Sequence, residues 1–119
     1  MSEHVYWILE AEVVDGKLDE LKALMAEMSE ATLQDEPGAL NYEWSFSDDN
    51  TICHVFERYA DSAATLVHMG NFGSKFARKF MGVLKPVKCT LYGNPDEKVL
   101  KALKPMGYVA MKPVAGFSR

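Results

Sequence analysis

Residues 56–80 read FERYADSAATLVHMGNFGSKFARKF, and the side chains best suited to chemistry gather there. His68 carries the one kind of group whose ordinary pKa lies near neutrality. A neutral imidazole beside a ligand hydroxyl acts as a general base or a hydrogen-bond partner. Tyr59 adds a phenol at the end of a strand, just before the helix that bears His68. Phe72, Phe76 and Phe80 repeat at helical spacing. Together these residues could line a pocket for a flat organic molecule. Trp44 and Trp7, on sheet faces, are further candidates for its apolar wall. Each has a plainer reading as well. A histidine near a helix end is most often packed, a strand-end tyrosine is often an aromatic plug, and a phenylalanine stripe is more often core. The stripe becomes a pocket wall only if the space below it is open.

The rest of the composition narrows the function by exclusion. Net charge is -4 and the pI is about 5.3, which gives nucleic-acid binding no electrostatic footing. Lys75, Arg78, Lys79, Lys85 and Lys88 are the nearest approach to a basic patch, and read as a solvated helix end and its surroundings. No stretch has the length and apolarity of a membrane span, and no signal segment is evident, so the cytoplasm is the expected compartment. Cys53 and Cys89 fall in separate strand-like segments and read as buried free thiols. His4, His54 and His68 lack metal-site spacing. There is no phosphate loop and no dinucleotide fingerprint, and Gly70–Gly73 reads as a helix break. No metal and no cofactor is expected.

The elements that must position these residues follow from periodicity. Val5–Val14 alternates as a strand and ends at Asp15-Gly16, where Asp15 is a candidate cap. Lys17–Gln34 is an amphipathic helix with Leu18, Leu21, Leu24, Met25, Met28 and Thr32 on its apolar face. Glu36-Pro37-Gly38 is a stop and turn. Leu40–Ser47 alternates most cleanly, with Leu40, Tyr42, Trp44 and Phe46 on one face. A turn at Asp48–Asn50 leads into the strand Thr51–Tyr59. Glu57 and Arg58 are adjacent on it, so they point to opposite faces. Helices over Asp61–Met69 and Phe72–Met81 precede a fourth strand, Val87–Tyr92.

This order predicts one α+β domain over 1–119, a ferredoxin-like split βαβ sandwich. Its antiparallel sheet has the order 4-1-3-2, with helices on one face. The core spans 5–93. The extension 94–119 reads as a helix over Asp96–Lys104, a turn at Pro105–Gly107 and an edge strand over Tyr108–Lys112. The other sheet face, with Tyr6 and Ile8, would be bare in a monomer. A homodimer packed sheet to sheet covers it.

On these features residues 5–93 resemble the antibiotic biosynthesis monooxygenase family of dimeric α+β barrels. The resemblance rests on the element order, on Glu36–Tyr42 opening the second strand, on Glu57–Asp61, and on His68 with the Phe72 and Phe76 spacing. The family more often has Trp where this chain has Tyr59. The resemblance implies a cofactor-independent monooxygenase acting on small aromatic phenols or quinols with dioxygen. His68 would be base or hydrogen-bond partner and Tyr59 a positioning donor, with Trp44, Phe72, Phe76 and Trp7 around the substrate. Haem-degrading members carry a histidine ligand on the last helix and an Asn on the first strand. Here Lys75–Lys79 has no histidine and Leu9 replaces the Asn, so haem degradation is disfavoured. Two alternatives stand beside oxygenation: a non-catalytic dimer that binds a small ligand or serves as an interaction module, and a cofactor-free isomerase or dehydratase.

Overall fold

The computed structural model describes residues 3–119. Its elements are β1 (Val5–Val13), α1 (Leu18–Asp35), β2 (Ala39–Phe46), β3 (Ile52–Tyr59), α2 (Ser62–Lys75), α3 (Ala77–Val83), β4 (Leu84–Gly93), α4 (Glu97–Leu103), a 3-10 turn (Lys104–Met106) and β5 (Val109–Ala110). The sheet runs β2-β3-β1-β4-β5. Its first four strands are antiparallel neighbours in the expected 4-1-3-2 order. The expected fifth strand is present but joins β4 in parallel, so the sheet is mixed.

Alternation decides which face each strand buries. Val5, Trp7, Leu9 and Ala11 of β1 are buried, as are Cys53, Val55, Glu57 and Tyr59 of β3. Helix α1 covers this face with Leu21, Leu24, Met28 and Thr32. These side chains, with Phe76, Phe80, Val83, Leu91, Val99 and Leu103, form one core. The opposite face is partly exposed. It carries an aromatic row in which Tyr6 stacks on Tyr92 at 5.2 Å and meets Phe56 edge-on at 6.4 Å. Arg58 lies on that face and bonds Asn41, His4 and the tail residue Ser118. No helix among the described residues is long and apolar enough to cross a membrane.

Four local expectations change. Gly70-Asn71 does not break the helix: α2 continues through both to Lys75, and the chain turns at Phe76 instead (φ -125°). A helix tolerates an interior glycine at about 1 kcal/mol, and Asn71 offsets part of that by bonding Glu36. The phenylalanine stripe is therefore split between two helices. Asp15 does not cap α1, whose N-cap is Lys17 without a side-chain bond. Leu40 leaves the apolar face of β2 and is 43% exposed, because the ladder slips between Ala39 and Asn41. The fourth strand starts earlier than Val87, at Leu84, and carries Pro86 opposite an irregularity at Glu10/Ala11. A proline removes one ladder donor, and bulges are where sheets accept it.

Candidate functional site

Three elements bring one buried side chain each to a common point. Glu57 comes from the middle of the sheet. Its β3 position pairs with Trp7 on β1 and Tyr42 on β2, so the three side chains share the helix-covered face. Glu36 comes from the turn after α1. Its N–H donates to Thr32 O, its carbonyl accepts from Ala39 N, and Gly38 O accepts from Ala60 N. The turn packs so tightly on α2 that a Cβ at Gly38 would stand 2.5 Å from Ala64 Cβ. His68 comes from α2. That helix is started by Asp61, whose carboxylate accepts from Ala64 N at 2.8 Å. Thr65 and His68 form the buried face of the helix, with Asn71 and Phe72 one turn on.

The imidazole is held by carboxylates at both nitrogens. Nδ1 lies 2.9 Å from Glu36 Oε1 and Nε2 lies 3.1 Å from Glu57 Oε1. Glu57 also accepts from Trp7 Nε1 at 2.9 Å and from the Tyr59 hydroxyl at 2.7 Å. Glu36 accepts from Asn71 Nδ2 at 3.2 Å. His68, Glu36 and Glu57 are 4%, 6% and 6% exposed. Burial works against the charged imidazole, but the bonds and charges of Glu36 and Glu57 win and push its pKa up to about 9. Burial likewise works to raise Glu36, and the bonds from His68 and Asn71 reverse it, so that carboxyl is held below its ordinary range. Burial, reinforced by the charge of Glu57, raises the phenols of Tyr59 and Tyr42 far above theirs. At neutral pH His68 is an imidazolium between two carboxylates.

The cluster opens onto a cavity of about 590 Å³. Tyr42, Glu57 and His68 are its polar inner end, and Trp7, Leu9, Val55, Met28, Met69, Phe72 and Phe80 are its walls. Ala102, Pro105 and Met106 of the C-terminal extension close one side, and Met81, Lys85 and Pro86 edge it. The space below the phenylalanine stripe is thus open. Of the residues singled out from the sequence, His68, Trp7, Phe72 and Phe80 line the cavity. Tyr59 stands behind it and spends its hydroxyl on Glu57. Phe76 turns into the core. Trp44 packs against Tyr42 and Phe80, and its indole N–H is buried without a partner among the described residues.

Sequence reasoning missed Glu57, Glu36 and Tyr42. For Glu57 a signal existed: Cys53, Val55, Glu57 and Tyr59 alternate, so a carboxylate stands in a core-facing register. Tyr42 shares the apolar face of β2 and was legible in the same way. Glu36 sits in a turn, where alternation says nothing.

The family model described as antibiotic biosynthesis monooxygenase matches residues 5–78. Among solved structures, MupZ from Pseudomonas fluorescens superposes with TM-score 0.87 at 26% identity, over 100% of this chain and 91% of that one. A conserved protein from Methanosarcina mazei Go1 gives 0.67 at 18% identity, over 76% and 91%. SnoaB, a cofactor-independent oxygenase from Streptomyces nogalater, in its N63A mutant form, gives 0.65 at 14% identity, over 76% and 91%. Among curated proteins, none matches the sequence.

Proposed function

The chain belongs to the antibiotic biosynthesis monooxygenase family, and we propose that it is a cofactor-independent enzyme that deprotonates a small phenol or quinol and lets the anion react with dioxygen. The observation that carries this reading is the Glu36–His68–Glu57 cluster at the inner end of an otherwise apolar cavity. A carboxylate at the inner end of an apolar cavity stands where a ligand hydroxyl would meet it. Glu57, with His68 bonded to it, takes the proton from the ligand hydroxyl. Tyr59 and Trp7 hold the Glu57 carboxylate in place. The electron-rich anion then adds dioxygen at a ring carbon that bears hydrogen. The peroxide formed there takes up the proton and loses water, which leaves a carbonyl. The apolar walls suit a flat ligand and dioxygen alike. In this reading two copies pack sheet to sheet across Tyr6, Phe56 and Tyr92.

A second reading is non-oxidative proton transfer, an isomerisation or dehydration. One observation favours it: carboxylates on both sides of one imidazole suit passing a proton between two ligand atoms. A role as an interaction module without a ligand site is weakened by the open space at His68.

Oxygen uptake by metal-free and flavin-free protein, against a panel of hydroquinones and naphthols, separates these readings. Oxygenation predicts protein-dependent uptake that falls at least about 100-fold in Glu57→Gln, the usual size of a lost acid–base group. Turnover that proceeds equally without oxygen selects proton transfer. A folded protein inert in both conditions, across the panel, sinks the enzyme reading.

A further inference from the structure

The bonds inside the cluster leave two polar groups unspent at the inner end of the cavity. A carboxylate offers about four acceptor positions. Glu57 fills three of them, since Oε1 accepts from His68 Nε2 and the Tyr59 hydroxyl and Oε2 accepts from Trp7 Nε1. One position on Oε2 is left for a ligand. The donors around it are nearly exhausted, because both ring nitrogens of His68, the Trp7 indole, the Tyr59 hydroxyl and the Asn71 amide are all held by Glu36 or Glu57. Tyr42 is the exception. It stands directly opposite Glu57 in the β2/β3 register, lines the cavity and meets the His68 ring edge-on at 5.4 Å. Its hydroxyl has no hydrogen-bond partner among the described residues. Unlike the Trp44 indole N–H, which is also unpartnered among them, it is not sealed from approach. Burial beside Glu57 and Glu36 keeps the phenol protonated, so it is present as a donor.

We propose that the Tyr42 hydroxyl is the donor that contacts the substrate, bonding the ligand oxygen on which negative charge settles once Glu57 has taken the proton. A charge that develops in an apolar cavity has to be met by a donor already in place, and Tyr42 is the uncommitted one. The substrate is then a flat, weakly acidic oxygen compound, a phenol or an enolisable ketone. Its O–H or neighbouring C–H bond breaks and the proton passes to the Glu57 carboxylate. The electron pair stays on the ligand and is shared with the oxygen that accepts from Tyr42. A donor on one side and a base on the other also fix which edge of the ligand enters first. The inference rests on the reading of Glu57 as the base, though not on whether dioxygen then adds.

Tyr42→Phe removes the hydroxyl and keeps the ring. Because that hydroxyl bonds nothing in the free protein, the urea unfolding midpoint should not move. Calorimetric binding of 1-naphthol to the full chain, beside 1-methylnaphthalene as a match in shape without the oxygen, reads the contact with no turnover required. The wild type should prefer 1-naphthol. Tyr42→Phe should weaken 1-naphthol about fivefold, the size of one neutral hydrogen bond, and leave 1-methylnaphthalene unchanged. If 1-naphthol binds Tyr42→Phe as tightly as the wild type, if both probes weaken alike, or if the unfolding midpoint falls, Tyr42 is not the ligand's donor. The wild type's preference for 1-naphthol then leaves the reading of Glu57 standing. If the wild type binds the two probes equally, or binds neither, no ligand oxygen sits at the polar inner end and both readings fall.

Discussion

The charge on His68 couples the site to the stability of the whole fold, and pH exposes the coupling. The imidazole has an ordinary pKa of 6.5 when the chain is unfolded and about 9 in the folded protein. Because the folded value is the higher one, the stabilisation is fully present below 6.5. It declines as pH rises and is gone once pH passes about 9. Each pKa unit corresponds to ~1.4 kcal/mol, so the bonds to Glu36 and Glu57 contribute about 3 kcal/mol at acid to neutral pH. That is a large share of the 5–15 kcal/mol, roughly, that holds a typical domain folded. Urea unfolding at a series of pH values between 6 and 10 measures it. Alkaline titration of lysines and tyrosines also changes stability, so the loss is assigned to His68 only where its midpoint coincides with the titration of the His68 ring. A direct check is ring-nitrogen NMR: His68 should remain doubly protonated well above pH 7. Stability that does not fall between pH 6 and 10, or a His68 ring that titrates at or below 6.5, would refute the reasoning.

Other consequences are smaller and separable. Asn71→Ala removes one of Glu36's bonds and should cost about 1 kcal/mol in unfolding free energy, with the His68 pKa as a second readout that moves with it. Gly38→Ala drives a methyl into Ala64, and should destabilise by about 1–3 kcal/mol in the same assay. Burial raises Cys53 to about 11, and burial with the charge of Glu57 raises Cys89 to about 12. Iodoacetamide at pH 8 should therefore label both slowly in the native protein and quickly in urea, and rapid native labelling would contradict their burial.

The sheet and its order were legible because each strand has one buried face, and alternation encodes that face residue by residue. Where a strand is interrupted, as at Leu40, the code fails, since one extra residue moves the next side chain to the other face. The helix boundary at Phe76 was hidden for another reason. Glycine lowers the preference for a helix without forbidding it, and the contact that sustains α2 through Gly70 is Asn71 to Glu36, a pair far apart in the chain. The site shows the same division. His68 stands out by type alone, and Glu57 could be found from its register on β3. Glu36 could not, because its burial depends on how α2 packs over the turn at Gly38.

The origin of the three clasped residues also changes what a substitution at His68 would reveal. Taken alone, His68 reads as a detachable catalytic group, so that His68→Ala should remove turnover and leave the fold intact. In the structure the imidazolium is what allows two carboxylates to be buried side by side. Removing it leaves Glu36 and Glu57 facing each other without a cation, and breaking a buried ion pair in this way typically costs about 3–5 kcal/mol. The cost can be lowered by protonating one carboxyl, so His68→Ala should be more stable at pH 5 than at pH 8. A loss of activity in that variant would therefore report folding and chemistry together. Glu57→Gln is the cleaner probe of chemistry, because it removes the cavity-facing base and leaves His68 paired with Glu36. If His68→Ala proved as stable as the wild type at pH 8, with both carboxylates still buried, the account of the cluster as a charge-balanced unit would be wrong.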